Sequence, residues 1–501
     1  MKTTIEQLMH SSQVKFGTSG ARGLVEDMTD QVCYAYTLGF IQYLEQTQQL
    51  VKGSGRSEVK IVLAGDLRNS TPKILNACAK AILDSGLQVV NAGLIATPAV
   101  ALYGLNYQCP AIMVTGSHIP DDRNGIKFYK LAGEILKEDE IIIKQQTIDL
   151  SNEGSPLFDE QGTFKEQNSY LPKVDPSALN DYRSRCLNLF PKNALAGKKV
   201  GVYQHSGVAR DLIPELLETL GAEVINLAPS DHFIPVDTEA VREEDVKLAK
   251  QWVAEYQLDA IVSTDGDADR PLLSDENGEW LRGDIVGFLC AHYLQIDHIV
   301  TPVSSNTCVE KSDFFVDVKR TKIGSPYVIE AMNEYVDDHY QAVAGYEANG
   351  GFLLATPLRK NDFLLTALPT RDAIIVLLTL LHSSVEQKCS LSQFTAQLPQ
   401  RYTYSDRIKN FATEKSQQLI EKYTLGDESQ NKAVIETDFP DFGQLNTINT
   451  VDGLRLTFAN GNIIHFRPSG NAPEFRCYSE SNSVVQAREL NQEALKVISS
   501  F

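Results

Sequence analysis

Three aspartates alternate along the stretch STDGDADR: Asp265, Asp267 and Asp269 follow directly on the apolar run LDAIV. Like charges on one short loop repel unless a cation neutralises them. Hard oxygen donors suit Mg²⁺, which leaves coordination positions for a phosphate oxygen. A calcium loop of D-x-D-x-D type is one rival, and Glu276 falls at its twelfth position. That rival fails at the sixth position, where the sharp turn wants glycine and the chain has Arg270, and an apolar strand rather than a helix leads in. A purely structural acidic turn is the other alternative.

A second loop, VTGSHIPDDRNGIKFY, sets Ser117 and His118 behind the apolar run AIMV, with Pro120 stiffening the exit. A hydroxyl held there can act as a nucleophile or a phosphoryl carrier. It can also do no more than bond its own backbone in a turn. Lys127 comes near the serine if the loop folds back. In GYEANGGF, Glu347 and Asn349 stand between glycines that let a ligand approach the backbone. An acid and an amide suit sugar hydroxyls, although Asn-Gly-Gly also makes plain turns. In FRPSGNAPEFR, Arg467, Ser469, Gly470 and Asn471 offer donors for a phosphate, and FGTSGARG sets Thr18, Ser19 and Arg22 in a similar Gly-rich frame.

Loops that follow apolar strands lie where α/β sheets take their ligands, so the elements behind them matter. VKIVLAGD, TPKILNACAKAILDSG and LQVVNAG read as strand, helix, strand, the order of a parallel sheet. KKVGVYQHSG, ARDLIPELLETLG and AEVINLA repeat it, and AILDSGLQVVNAG is close enough to ELLETLGAEVINLA to indicate a duplicated unit. A weaker third copy runs from HIVTPVSSNTCVEKS through SPYVIEAMNEY to QAVAGYEANGG. Beyond Pro399 the pattern changes to an Asn-Gly hairpin, GLRLTF with GNIIHFRPSG, and a final helix, SVVQARELNQEALKVISS. The expected architecture is three similar α/β domains, residues 1–160, 161–288 and 289–398, followed by a smaller α+β domain, 399–501.

A chain of 501 residues suits three or four domains at roughly 100–200 residues each. No apolar run reaches the roughly 18–20 residues that cross a bilayer, which argues against a membrane protein. The 46 basic against 65 acidic residues give a net charge of −19, which argues against nonspecific nucleic-acid binding. An anionic ligand would need a local concentration of basic groups. The opening MKTTIEQLMHSSQVKFG lacks the order of a signal peptide, and eight cysteines are scattered without a C-x-x-C pair. A reduced, cytoplasmic protein without a zinc site is expected.

Taken together and in this order, FGTSGARG, TGSHIPDDRNGIK, DGDADR, GYEANGG and RPSGNAPEFR resemble the motifs of the α-D-phosphohexomutase superfamily over essentially the whole chain. The resemblance implies four domains around a central cleft, with the α+β domain as a lid. It implies that Ser117 carries a phosphoryl group, that Asp265, Asp267 and Asp269 bind Mg²⁺ with the phosphoserine as a further ligand, and that Arg22, His118, Lys127 and Arg270 line the reacting centre. Lys322, Gly324, Ser325, Glu347 and Asn349 match substrate-binding positions, and Arg467, Ser469, Gly470 and Asn471 match the loop for the non-reacting phosphate. The implied reaction is reversible phosphoryl transfer between the 6- and 1-positions of a hexose phosphate through a hexose 1,6-bisphosphate, in a monomer or homodimer. Mannose phosphate is the favoured sugar, with glucose, glucosamine and N-acetylglucosamine phosphates as alternatives. A metal-dependent phosphatase and a non-enzymatic sugar-phosphate binder are rival classes, and the triple aspartate speaks against the second. The chain departs from the common pattern at T-G-S-H-I-P for T-A-S-H-N-P, at E-A-N-G-G for E-x-S-G, at Ser325 where histidine often follows the glycine, and at Asn471-Ala472 for Thr-Glu.

Overall fold

The computed structural model describes residues 2–17, 20–50, 58–150, 157–360, 363–468 and 474–499. They gather into two compact units, Met1–Ile296 with Gly324–Phe394 and Asp297–Ile323 with Thr395–Phe501. Among the described residues no helix is long and apolar enough to cross a membrane.

In the first unit, the buried strand Lys60–Gly65 runs parallel to Gln88–Leu94 on one side and to Ala111–Val114 on the other. Helix Thr71–Asp84 makes the first crossover. It begins with Pro72 in its first turn, buries Ile74, Leu75, Cys78 and Ile82 on one face, and ends in a left-handed Gly86. Ala111–Val114 then turns back antiparallel into Arg123–Lys130, setting Met113 opposite Lys127 and Val114 opposite Ile126. This register is what returns Lys127 to the serine loop.

The expected duplicate is present. Lys199–His205 pairs in parallel with Glu223–Pro229 and Ala260–Thr264, and Ala260–Thr264 turns back antiparallel into Pro271–Ser274. The helix ends match bond for bond. Gly86 N donates to Leu83 O and Leu87 N to Ile82 O, while Gly221 N donates to Glu218 O and Ala222 N to Leu217 O. A third hairpin, Val343–Tyr346 with Phe352–Leu354, carries the EANGG turn. Three chemistry-bearing loops are thus the connections of three hairpins, each entered from a fully buried strand.

The second unit holds a five-stranded antiparallel sheet in the order Tyr402–Lys409, Glu474–Ser481, Ile463–Pro468, Leu454–Phe458, Leu445–Asn449, packed by helix Val484–Ser499. The Asn460-Gly461 hairpin is in place, with Gly461 at φ 82°. It also holds the parallel pair His298–Pro302 and Asp317–Thr321. The second of these strands carries no strand signal in the sequence, because DVKRT is mostly charged; in the fold it is only half-buried.

Candidate active site

Ser117 sits at φ 55°, the left-handed region, which costs a residue with a Cβ about 1–2 kcal/mol. A buried arginine holds it there. Arg68, 1% exposed, donates from Nε to Asp66 Oδ2 at 3.1 Å, from Nη1 to Pro120 O and Arg123 O, and from Nη2 to Ser117 O at 3.0 Å and Ile119 O at 2.6 Å. Asp66 in turn accepts from Thr71 and Thr115. One fork of donors therefore pegs the whole serine loop. The fork also explains Gly116, since a Cβ there would meet the Arg68 guanidinium at 2.6–2.8 Å. The sequence reading missed Asp66 and Arg68; the available signal was D-x-R directly after the strand KIVLAG.

The aspartate loop meets the serine loop. Ser117 Oγ donates to Asp265 Oδ2 at 2.5 Å, and Asp265 Oδ1 accepts from the backbone of Asp269 and Arg270. Asp267 Oδ2 accepts from Thr97 Oγ1 at 2.5 Å and Lys127 Nζ at 2.6 Å, and Lys127 also donates to Asp269 Oδ2 at 2.7 Å. Asp267 Oδ1 and Asp269 Oδ1 are buried without a hydrogen-bond partner. Buried carboxylate oxygens that accept no hydrogen bond are costly, and each of the three aspartates offers an oxygen within 4.8 Å of the others. The donor set fits a hard divalent cation, as the alternating spacing predicts.

Burial and its two acidic neighbours push the Asp265 carboxyl well above the usual range. Burial acts upward on Asp267 as well, but Lys127 and Thr97 bring it below its ordinary value. Burial pushes Asp269 up too, but Arg371, Lys127 and Arg270 hold it below the ordinary carboxylate range. His118 is driven down to about 3 by burial and by Arg270, whose Nη1 lies 2.9 Å from His118 Nδ1. The ring is neutral, with Nδ1 facing a cation and also 3.3 Å from Ser117 Oγ. Arg22 is lowered to about 10 by burial and by Arg270. Ser117, His118, Lys127, Arg22 and Arg270 thus share one field in which cations and carboxylates alternate.

On the EANGG turn, Glu347 and Asn349 are both buried. Asn349 Oδ1 accepts from Gly351 N at 2.9 Å, so its carbonyl end shapes its own turn. Glu347 Oε2 lies 3.3 Å from Nη1 of Arg371, a residue the sequence reading did not single out. Gly324, at φ 133°, precedes helix Ser325–Asp337, and the buried Ser325 donates to Glu134. Lys322 is exposed and belongs to the second unit. So does Arg467, whose Nε lies 2.9 Å from Asp452 Oδ2. Ser469, Gly470 and Asn471, together with Thr18 and Ser19, lie outside the described residues.

Comparison with known proteins matches three successive segments of the chain. Residues 13–153, 179–278 and 282–402 match the family descriptions phosphoglucomutase/phosphomannomutase, alpha/beta/alpha domains I, II and III. A phosphomannomutase of Salmonella muenchen is 43% identical over 98% of this chain and 97% of its own length. One from Sinorhizobium fredii is 41% identical over 97% of this chain and 99% of its own. Among solved structures, a phosphoglucomutase/phosphomannomutase family protein from Burkholderia thailandensis has a TM-score of 0.70 at 19% identity, covering 96% of this chain and 97% of that one. An N-acetylphosphoglucosamine mutase of Aspergillus fumigatus, solved with GlcNAc-6P and magnesium, has a TM-score of 0.58 at 13% identity, with 99% of each chain covered.

Proposed function

The chain belongs to the phosphoglucomutase/phosphomannomutase family, and from that premise we propose that it interconverts mannose 6-phosphate and mannose 1-phosphate, with Ser117 as the phosphoryl carrier. The observation that carries the reading is the 2.5 Å hydrogen bond from Ser117 Oγ to Asp265, which sets the hydroxyl against a buried triad of carboxylates.

In the forward direction Ser117 begins phosphorylated. The 1-hydroxyl of mannose 6-phosphate attacks the phosphorus, the O1–P bond forms, the Oγ–P bond breaks, the hydroxyl proton ends on Ser117 Oγ, and mannose 1,6-bisphosphate results. After the bisphosphate has reoriented, Ser117 Oγ attacks the 6-phosphate, O6–P breaks, and mannose 1-phosphate leaves. In that second step the serine proton, held in the hydrogen bond to Asp265 Oδ2, ends on O6 of the departing mannose 1-phosphate. Arg68 keeps the serine backbone in the one conformation that aims Oγ at the triad. Asp265, Asp267 and Asp269 would hold Mg²⁺, whose charge offsets that of the phosphoryl group in transfer. Lys127, Arg270 and Arg22 concentrate positive charge there, which is how a chain of net charge −19 accepts an anionic sugar. Neutral His118 supplies its ring without adding charge. Glu347 and the amide of Asn349 face the sugar hydroxyls, with Gly324 and Ser325 completing the sugar side, and Arg467 with Ser469, Gly470 and Asn471 holds the phosphate that is not being transferred.

Eight free cysteines, seven of them buried, fit a reducing cytoplasm. The E-A-N-G turn favours an N-acetylglucosamine phosphate as the second reading. A coupled assay with Mg²⁺ on the 1-phosphates of mannose, glucose, glucosamine and N-acetylglucosamine tests the choice. Mannose should have the highest kcat/KM. A higher value for either amino sugar replaces the substrate, and net release of inorganic phosphate replaces the mutase with a phosphatase.

A further inference from the structure

We propose that Arg371 is a positioning residue that ties the sugar loop to the aspartate loop and so sets which hexose phosphate the site accepts; this rests on the mutase reading above. Arg371 is 3% exposed. Its Nε and Nη2 lie 3.0 and 2.9 Å from Asp269 Oδ2, and its Nη1 lies 3.3 Å from Glu347 Oε2. A single planar guanidinium therefore spans two carboxylates that come from two different hairpin turns. The fork fixes the angle between them, which a single ammonium point charge cannot do.

The guanidinium is itself held from three sides. Behind it, a Cβ on Gly351 would meet Arg371 Cγ and Cδ at 2.6 Å, so the second glycine of A-N-G-G is the floor on which the arginine stem lies. On its C-terminal side, Asp372 caps helix Ala373–Glu386 and accepts from Tyr182 Oη at 2.5 Å and Arg185 Nη1 at 2.7 Å. On its N-terminal side, Thr370 donates to the buried Glu134 at 2.5 Å, the same carboxylate that Ser325 bonds. With both neighbours pinned, Arg371 has little freedom to follow one loop and release the other. The distance from the sugar-facing carboxylate to the phosphoryl-transfer centre is in this way set by protein contacts before substrate arrives. A sugar whose hydroxyls do not meet Glu347 at that distance cannot be accommodated by moving the loop alone.

Two variants perturb the link differently. Arg371→Lys removes the fork and keeps the charge; Gly351→Ala lifts the stem and changes no charge. Each is compared with wild type by calorimetric affinity for mannose 6-phosphate and glucose 6-phosphate, by Mn²⁺ affinity of the sugar-free enzyme, and by circular dichroism. Both variants should weaken mannose 6-phosphate binding by about tenfold or more, narrow its margin over glucose 6-phosphate, and shift Mn²⁺ affinity in parallel. If either variant unfolds, the other carries the measurement. Wild-type sugar preference and wild-type Mn²⁺ affinity in a folded variant would overturn the proposal. So would a shift in one readout without the other, because a guanidinium holding both loops cannot release one alone. Failure of the mutase reading would look different: wild type would bind hexose phosphate without converting it.

Discussion

Lys127→Met removes the ammonium that bonds both Asp267 and Asp269, at 2.6 and 2.7 Å, while nearly keeping its length. Lys127 is 5% exposed and both aspartates are 0% exposed, so all three charges are paired out of water. Removing one partner of a buried pair costs about 3–5 kcal/mol, because the charge left behind is uncompensated. Here Asp269 keeps Arg371 and Asp267 keeps the Thr97 hydroxyl, which puts the expected cost near the lower end, about 3 kcal/mol. At roughly 1–2 °C per kcal/mol for a cooperative unit of more than 300 residues, the metal-free variant should melt about 3–6 °C below wild type. Mg²⁺ should then raise its Tm by more than it raises the Tm of wild type, since a bound cation now neutralises carboxylates that have no lysine. Turnover should fall by about 10²–10³, the usual loss when one charge-stabilising donor is removed. The assay is differential scanning fluorimetry over a Mg²⁺ series, with the coupled turnover assay on the same samples. Equal melting temperatures without metal, or a smaller Mg²⁺ shift in the variant, would refute the charge balance described for this site.

Arg68→Met should cost about 3–5 kcal/mol and lower kcat more than it changes KM, because it frees the serine loop and strands Asp66; thermal melting and steady-state kinetics check both. His118, at about 3 when folded against about 6.5 unfolded, should lower stability as pH falls from 6.5 toward 3, since the unfolded chain takes a proton that the folded site refuses. His118→Asn should therefore flatten the fall of Tm with acid by up to about 1.4 kcal/mol per pH unit, and an unchanged acid profile would contradict a depressed histidine. Exhaustive chelation should abolish turnover and Mg²⁺ should restore it; full activity after chelation would remove the metal assignment.

The residues that speak at short range were legible in the sequence. Alternating Asp265, Asp267 and Asp269 behind an apolar strand carry their own chemistry in their spacing, and Ser117 and His118 stand side by side on one turn. The duplicated α/β unit was legible because the same helix end, closed by Gly86 and by Gly221, is written twice. Arg68 and Arg371 were not, because an arginine's role depends on what packs around it. Arg68 reaches carbonyls about fifty residues away, and Arg371 bonds Asp269, which is 102 residues distant. The strand Asp317–Thr321 was hidden for a related reason: its pairing with His298–Pro302 is made by backbone groups, while its side chains read as a charged loop. Gly116, where the common pattern has alanine, owes its place to the Arg68 guanidinium behind it, which no motif next to it in the chain announces.

The most direct test of the account is to follow a labelled phosphoryl group. Incubation with ³²P-labelled mannose 1,6-bisphosphate, followed by proteolysis and peptide mapping, should place the label on Ser117. A chase with unlabelled mannose 6-phosphate should move it into bisphosphate and then into both monophosphates, and Ser117→Ala should neither take up label nor turn over. Label on another residue, label on Ser117 that passes to water instead of sugar, or turnover by Ser117→Ala would contradict Ser117 as the phosphoryl carrier of a mutase.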